Sequence, residues 1–378
     1  AIRQVDNNIA GSDQTLTAGA RMSFQNGFQL RGNFTQAIRS PSVAELFMPE
    51  SYTRAAANDP CDFRYIAGGP NSSVRQANCQ AEVASLISQG LLPSNFDLSE
   101  SNFNSLIVNI PDSATIAGDI NLQNEISDSW TIGFILQPDF IPGLTLSIDW
   151  TEIELTDAII SVTGTQLMNT CYDSPSYPSP DACSRFRREA NTYQVKDLAL
   201  GFLNAANREM SGLLINLTYS REAPGISLIS SEKGLFGFST SAFQLDDHRQ
   251  SIAGTDLDVF TDERGFEEWK GQANFTYQTG PLSLLWQILY PSGGIYSNEE
   301  SAEYRTPETF GSSTFSNFSI NWEFDNKLTT RLVVNNVFDE IDDKYLASSR
   351  SLNSHIPNGN NFRDVVGRRY SLELGYSF

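Results

Sequence analysis

The sequence predicts an all-β protein, a transmembrane antiparallel up-and-down β-barrel. Three observations support this prediction: apolar and polar residues alternate over many segments, the connections alternate between short and long, and Trp and Tyr gather near segment ends. Successive side chains of a strand point to opposite faces, so each segment has one apolar and one polar face. We find about eleven segments of roughly 9–12 residues, close to the roughly 9–11 with which a tilted strand crosses a bilayer.

The segments follow one another along the whole chain. Near the start, Asn26-Gly27 separates two of them and is a strong hairpin signal. Near the end, Ser371 and Glu373 alternate with apolar neighbours. The apolar faces carry no charged side chain within the strand cores and contain, in chain order, Ala18, Ala20, Met22 and Phe24; Phe28, Leu30 and Phe34; Trp130, Ile132, Phe134 and Leu136; Leu144, Leu146, Ile148 and Trp150; Leu213, Ile215, Leu217 and Tyr219; Phe236 and Phe238; Trp269, Phe275 and Tyr277; Leu282, Leu284, Trp286, Ile288 and Tyr290; Phe318, Ile320, Trp322 and Phe324; Leu328, Leu332 and Val334; Tyr370, Leu372, Leu374, Tyr376 and Phe378.

The connections alternate in length. An intermediate link runs from Arg221 to Lys233, and the short links are Asn26-Gly27, Pro138 to Gly143, Gln278 to Pro281 and Asp325 to Lys327. Long links of about 90 residues after Gln36 and about 50 after Ile153, with shorter ones of about 20–30 after Phe243, Tyr290 and Val337, match an outer-membrane barrel with long external loops. A soluble β-sandwich also alternates apolar and polar residues, but its Greek-key links give no reason for alternating loop lengths.

Composition excludes several classes of protein. With 25 Lys and Arg against 45 Asp and Glu, the net charge is −20, and nucleic acid is not an expected partner. Only 2 His and 4 Cys are present, so a multi-His catalytic metal centre or a Cys₄ zinc site is not expected. The mean hydropathy is −0.29, and no run of 18 apolar residues predicts a transmembrane helix. The first residues lack a signal-peptide pattern, so we expect a mature chain or a fragment.

Motifs for enzyme chemistry are missing from the sequence. His248 and His355 stand alone in predicted loops, and neither belongs to a recognisable nucleophile motif such as GxSxG. GxGxxG and P-loop motifs for nucleotides are also absent. We therefore expect no enzyme activity and no cofactor.

The long loops contain predicted structure of their own. A loop from Ala37 to Ser129 is longer than usual unless it is functional or partly structured. Ala81 to Gln89 predicts a short helix with Val83, Leu86 and Ile87 inward, and Ser161 to Thr170 predicts a second helix that ends before Cys171. Two roles stay open for these loops: they contact a ligand over the barrel mouth, or they only shield the rim.

Acidic runs occur at Asp246-Asp247, Asp256 to Glu268 and Asp339 to Asp343. Either they form a solvated surface, or they bind divalent cations, directly or as bridges to lipopolysaccharide. EF-hand spacing is absent, so no metal site is predicted.

Several segments resemble the C-terminal half of TonB-dependent outer-membrane receptors. Residues 34–47, FTQAIRSPSVAELF, resemble an aromatic strand end followed by the pattern (F)RxPs..eL(f), with Ile38 where the family usually has Phe. Asn121-Leu122-Gln123-Asn124-Glu125, followed by Trp130 and Gly133, resembles the "NLxPE…s.e.G" strand entry, with Asn124 in place of Pro. Residues 335–339, NNVFD, resemble "NNLFD", and Gly367-Arg368 resembles the "GR" that opens the last strand.

The resemblance covers nearly the whole chain and implies a 22-stranded barrel in the bacterial outer membrane. Residues 1–378 would form the C-terminal part, with the plug domain, the TonB box and the first barrel strands absent. A half barrel exposes two unpaired edges and cannot close alone, so we expect a fragment or a truncated gene product. Expected partners are the TonB complex through the missing N-terminal part, the plug domain, outer-membrane lipid and lipopolysaccharide, and the barrel assembly machinery through Phe378.

The four cysteines fall into two pairs, Cys61 with Cys79 and Cys171 with Cys183, each within one predicted external loop. Such loops face an oxidising environment, so two local disulfides are expected, and similarity to family members with cysteine-containing loops supports this pairing. Four free buried thiols are the alternative.

Candidate ligand contacts are Arg39, Trp130, Arg185, Arg187 and Arg188, near the external strand ends and in the loops. Polar residues on the other strand faces, such as Arg31 and Asp149, would mainly contact the plug or water. The resemblance implies uptake of a nutrient ligand, either a small molecule or an oligosaccharide: a glycan or other complex nutrient first, and a ferric siderophore as the alternative. A soluble or surface-exposed β-rich binding or adhesion module is the alternative of another class.

Overall fold

The computed structural model describes residues 1–9, 11–69, 71–179, 181–230, 232–252, 256–296, 309–324, 327–340 and 366–376. Its strands are β1 (Ile2–Asn7), β2 (Gly11–Ser23), β3 (Phe28–Arg39), β4 (Ser51–Ala55), β5 (Asp112–Ala117), β6 (Glu125–Leu136), β7 (Leu144–Val162), β8 (Arg187–Arg188), β9 (Val195–Lys196), β10 (Leu198–Ala223), β11 (Gly234–Ile252), β12 (Asp256–Val259), β13 (Trp269–Thr279), β14 (Leu282–Pro291), β15 (Gly294–Ile295), β16 (Thr309–Phe310), β17 (Phe315–Glu323), β18 (Leu328–Asn335) and β19 (Arg369–Tyr376). The α-helices are α1 (Val43–Phe47), α2 (Ser72–Ser88) and α3 (Gly164–Tyr172), and short 3₁₀ turns cover Gln25–Gly27, Leu106–Val108 and Asp181–Arg185.

One large sheet carries the fold. Its main path is β1-β2-β3-β6-β7-β10-β11-β13-β14-β17-β18-β19, and every neighbouring pair on this path is antiparallel. This confirms the predicted up-and-down order. Within the described residues, β1 and β19 end the path and do not pair with each other, so the barrel is partial.

The path contains one strand more than the eleven expected, because β1 was not predicted. Its only apolar residues, Ile2 and Val5, are three positions apart and lie on opposite faces, so no apolar face is visible in the sequence. The first predicted hairpin is present: Asn26 and Gly27 both have positive φ, at 66° and 73°, as a tight turn between β2 and β3 requires.

One face of the sheet is apolar and exposed. Trp130, on β6, packs against Phe34 of β3 with ring centroids 4.6 Å apart, and both residues occupy paired positions. Ile132 is 63% exposed and Leu372 is 66% exposed. A soluble sandwich would bury such side chains in a core, whereas the outer face of a membrane barrel presents them to lipid.

The opposite face is polar and is crosslinked by an ion pair across three strands. Arg31 of β3, Gly133 of β6 and Asp149 of β7 are in register. The guanidinium of Arg31 passes over Gly133, and its Nε donates to Asp149 Oδ1 at 2.7 Å while Nη2 donates to Oδ2. A Cβ on Gly133 would lie 2.2 Å from Asp149 Oδ1, so glycine is required here.

At the end of the sheet opposite the short turns, residues 40–124 and 163–197 fold together, and we call these two segments the loop module. In it β4 pairs with β5, and β5 pairs with the start of β10 in parallel, Leu198 facing Ala114 and Gly201 facing Ala117. The loop module is therefore a continuation of the sheet.

The helices of the loop module differ from those predicted. Helix α2 begins at Ser72, nine residues before the predicted start, because its first half is held by buried Arg75 and Cys79 and not by an apolar stripe. Helix α3 continues through Cys171 to Tyr172 and begins with a capping box between Thr163 and Gln166. No helix among the described residues is long and apolar enough to cross a membrane.

Candidate functional site

The loop module has its own buried core. Disulfides Cys61–Cys79 and Cys171–Cys183 confirm the predicted pairing, with Cα atoms 5.6 Å and 4.9 Å apart. Three of the four cysteines are at most 1% exposed, and they pack with Tyr172 and Tyr193 in one cluster. The disulfides thus join α2 and α3 to a common centre.

Arg188 occupies that centre. Its Nη1 and Nη2 donate to the two carboxylate oxygens of Asp59 at 2.9 and 2.7 Å, and its guanidinium lies 4.2 Å from the ring centroid of Tyr193. The side chains of Arg188 and Asp59 are 3% and 0% exposed. Although burial opposes the charged form, Asp59 holds the pKa of Arg188 well above its usual value.

Glu82 of α2 binds the two tyrosines that surround Arg188. The hydroxyls of Tyr172 and Tyr193 donate to Glu82 Oε2 at 2.6 and 2.7 Å, and Arg188 Nε donates to the Tyr172 hydroxyl at 2.6 Å. Burial raises the pKa of both tyrosine hydroxyls well above the usual value, so both stay protonated and serve as donors.

Two further buried carboxylates, those of Asp173 and Asp62, link distant parts of the loop module. Arg75 donates to both oxygens of Asp173, with an Nε–Oδ1 distance of 2.6 Å. Asp62 accepts from Arg64 Nε at 2.7 Å and from the backbone N–H of Ser105 at 2.8 Å. Although burial opposes it, these donors, led by Arg64, lower the pKa of Asp62.

Arg39 lies at the end of β3, where the sheet meets the loop module. It donates to both carboxylate oxygens of Glu125 and to Glu45 Oε2 at 3.0 Å. Glu125 also accepts from the backbone N–H of Ile159 at 2.7 Å, and Glu45 forms the capping box of α1 with Ser42. Arg39 therefore connects β3, β6 and α1, and β7 through Glu125.

The other residues predicted to contact a ligand do not form one cluster. Arg185 Nη2 donates to Asp119 at 2.7 Å, and Arg187 Nε donates to Asp197 at 2.5 Å. Arg187 is exposed, Arg185 is mostly buried and Arg188 is fully inside. Trp130 lies on the apolar face of the sheet, apart from the arginines.

A cavity of about 260 Å³ opens beside the centre and is lined by Arg187, Tyr177, Glu82 and the Cys171–Cys183 disulfide, among others. Sequence reasoning missed Glu82, Asp59 and the two tyrosines, although Tyr172 adjoins Cys171 and Asp59 lies two residues before Cys61. Clusters of three or more His, Cys, Asp or Glu side chains suited to a metal are absent from the described part of the chain.

Comparison with known proteins decides the family. Residues 3–337 match the family described as TonB dependent receptor-like, beta-barrel. The chain belongs to this family. TonB-dependent receptor barrels are multi-pass β-barrels of the bacterial outer membrane, which confirms the predicted location, and the family comprises receptors and transporters.

Solved structures of TonB-dependent receptors share the fold. The siderophore receptor PirA from Acinetobacter baumannii is 15% identical, with a TM-score of 0.56, over 100% of this chain and 43% of its own. A mutant of the ferric enterobactin receptor PfeA from Pseudomonas aeruginosa is 12% identical, with a TM-score of 0.58, over 100% of this chain and 42% of its own. The chain thus spans about two fifths of the length of these receptors. No curated protein sequence matches it.

Proposed function

We propose that this chain forms part of the wall and the external loop module of a TonB-dependent receptor that takes up a nutrient ligand. An uncharged, hydroxyl-rich molecule such as a glycan is the ligand class that fits best. In the whole receptor, residues 1–378 would be the C-terminal part of the barrel. The open sheet, with β1 and β19 at its edges, and the share of the neighbours' length that the chain spans support this placement.

The proposed ligand class rests on the ion pairs that the arginines form with carboxylates. Arg39, Arg185, Arg187 and Arg188 each contact at least one carboxylate. Because their charge is already balanced, and the chain has a net charge of −20, they offer little attraction to an anion.

A ferric siderophore is the runner-up ligand. The names of PirA and PfeA describe a siderophore receptor and a ferric enterobactin receptor, but at 12–15% identity the likeness concerns the fold. An anionic ferric siderophore would need Arg187 or Arg185 to leave its carboxylate partner.

The remaining partners follow from the proposed receptor. The polar face around Arg31 and Asp149 would contact the plug domain, and the apolar face around Ile132 would contact lipid and lipopolysaccharide. The TonB complex would act through an N-terminal part, and the barrel assembly machinery would recognise the end of the chain at Phe378, which lies outside the described residues.

Equilibrium binding to the full-length receptor, purified from outer membranes in detergent, tests the proposal. We expect neutral oligosaccharides to bind with an affinity that changes little with added salt, whereas binding of an anionic siderophore would weaken as salt screens the charges. Arg187→Gln should weaken oligosaccharide binding if the cavity beside Tyr177 is used. Lys233→Gln, at the opposite end of the sheet, is the matched control.

Two results would contradict the proposal. One is salt-sensitive binding of ferric siderophores with none of the oligosaccharides bound. The other is a full-length protein that is monomeric without detergent, which would favour a soluble binding module.

A further inference from the structure

A second cavity, of about 570 Å³, lies at the rim where the turn between β1 and β2 approaches residues 120–126. Its polar lining includes Asp13 and Asp157, and its apolar lining includes Ile9, Ile120 and Ile126. It is separate from the cavity beside Arg187, and no residue proposed above as a ligand contact lines it.

Asn124 is the distinctive group in this cavity. It is 4% exposed, and its Nδ2 donates to Asp13 Oδ2 at 2.5 Å. Because a carboxylate oxygen accepts and does not donate, this bond fixes which end of the amide faces Asp13. Among the described residues, Asn124 Oδ1 has no hydrogen-bond partner. A buried acceptor without a donor is unfavourable, and Asn124 is one of the residues that line the cavity. A ligand donor that reaches Asn124 Oδ1 would therefore make a hydrogen bond that the described residues leave unmade.

Asp157 is the third polar residue of the cavity, after Asn124 and Asp13, and hydrogen bonds fix its backbone. Asp157 has a positive φ of 55°, and its carbonyl oxygen accepts from Asn204 Nδ2 at 2.7 Å. The same Asn204 side chain accepts from the N–H of Gln123 at 2.8 Å and donates to the Gln123 carbonyl at 3.0 Å. The Asn204 side chain thus joins the backbone segments around Gln123 and Asp157, which flank the cavity. As a result, Asp157 and Asn124 are held in fixed positions relative to each other.

The chemistry of the lining identifies the ligand class. The carboxylates of Asp13 and Asp157 and the amide oxygen of Asn124 are acceptors, and no Lys, Arg or aromatic residue is among the described residues that line the cavity. The other polar residues of the lining, Ser12, Asn121 and Gln123, are uncharged. A sugar would normally stack on an aromatic ring, which is missing there, and the described residues do not form a metal-binding cluster. A lining that combines aliphatic side chains with acidic acceptors suits an alkyl chain that ends in a positively charged donor.

We propose that this rim cavity binds an aliphatic ammonium group, with Asn124 Oδ1, Asp13 and Asp157 accepting its three N–H donors. A polyamine and the lysine side chain of a peptide share this chemistry. The proposal concerns binding at the rim and does not depend on which ligand the receptor transports.

Calorimetric titration of the full-length protein in detergent tests it with two probes of equal length, cadaverine and pentane-1,5-diol. We expect cadaverine to bind with one-to-one stoichiometry and the uncharged diol to bind at least about tenfold more weakly, since hydrogen bonds to charged groups are the stronger ones. Equal affinity for the two probes would overturn the proposal, and this comparison needs no variant. With lysine amide as a third probe, stronger binding than that of cadaverine would indicate a peptide source, and weaker binding a polyamine source; both support an ammonium site.

A variant pair locates the site. Asp157→Asn keeps the side-chain shape and tolerates positive φ, so the backbone should stay intact while cadaverine affinity falls about tenfold. Asp139→Asn, an exposed change in the turn at the other end of the sheet, removes the same charge and should leave the affinity unchanged. An equal loss in both variants would mean that cadaverine responds only to overall charge and would refute the rim site.

Discussion

Arg188 and Asp59 are 129 residues apart in the sequence and form a two-bond ion pair inside the loop module. One lies beside the Cys171–Cys183 disulfide and the other beside the Cys61–Cys79 disulfide. The pair therefore joins the two loops at the point where each is already crosslinked. This ion pair holds the two loops against each other. The ion pairs of Arg75 with Asp173 and of Arg185 with Asp119 act in the same way.

Breaking this pair should loosen the loop module. Asp59→Ala leaves the Arg188 charge buried without its partner, and we expect a loss of about 3–5 kcal/mol in the free energy of unfolding of the loop module. Asp197→Asn removes the charge that pairs with exposed Arg187, tolerates the positive φ of 53° at this position, and should cost less than about 1 kcal/mol. Thermal unfolding followed by near-ultraviolet circular dichroism in detergent measures both. Similar losses in the two variants would show that burial of the Arg188 pair is unimportant.

The glycine under the Arg31–Asp149 pair gives a second prediction. Gly133→Ala places a Cβ against Asp149, so Arg31 and Asp149 must separate, and we expect a loss of about 1–3 kcal/mol in barrel stability. Gly32→Ala is the matched control on the neighbouring strand, because the nearest atom to its added Cβ is 4.0 Å away. Urea unfolding in lipid vesicles compares them, and a Gly32 variant as unstable as the Gly133 variant would contradict this explanation.

The direction of the two sheet faces gives a third prediction. Ile132→Arg puts a charge on the face that contacts lipid and should destabilise the folded barrel by about 2–4 kcal/mol if it lies near the bilayer midplane. Thr131→Arg, one residue earlier, points to the polar face and should be tolerated better. The fraction that shows heat-modifiable migration after folding in vesicles reports the difference. The reverse order would mean that the faces are assigned wrongly.

Acid should weaken the loop module through Asp62. Because the pKa of Asp62 is lowered in the folded protein, its contribution to stability is complete above the unfolded pKa of about 3.9. That contribution is lost as pH falls below about 4 and the carboxylate takes up a proton. Asp62→Asn should therefore flatten the decline of melting temperature in this acid range, whereas Glu100→Gln, at an exposed site in the same loop, should leave it unchanged. An unaltered acid decline in the Asp62 variant would refute this role.

The strands could be predicted because the alternation of apolar and polar residues that marks each strand lies within its own short segment of sequence. Eleven of the twelve strands on the main path show an apolar face in the sequence, and only β1 lacks one. The cysteine pairing was predictable for a similar reason, since each pair lies within 18 residues or fewer. By contrast, Arg185, Arg187 and Arg188 look alike in sequence. Their burial differs because of partners far away, such as Asp59, which no local pattern identifies.

The same limit applies to the helices and to the rim. The pattern of Val83 and Leu86 marks only the second half of α2, because the first half is anchored by an ion pair with Asp173 and by a disulfide. Asn124 was recognised as a departure from a family pattern. Its contact with Asp13, 111 residues earlier, became visible only when both strands were in place.

The parallel pairing of β5 with β10 has a consequence for the kinetics of capture. Since the loop module extends the sheet through this pairing, its part of the entrance in the proposed receptor would already have its final shape when a ligand arrives from outside. Encounter should then proceed in a single phase whose rate rises linearly with ligand concentration, without a slow closing step. Discrimination between related molecules would appear in how fast they leave.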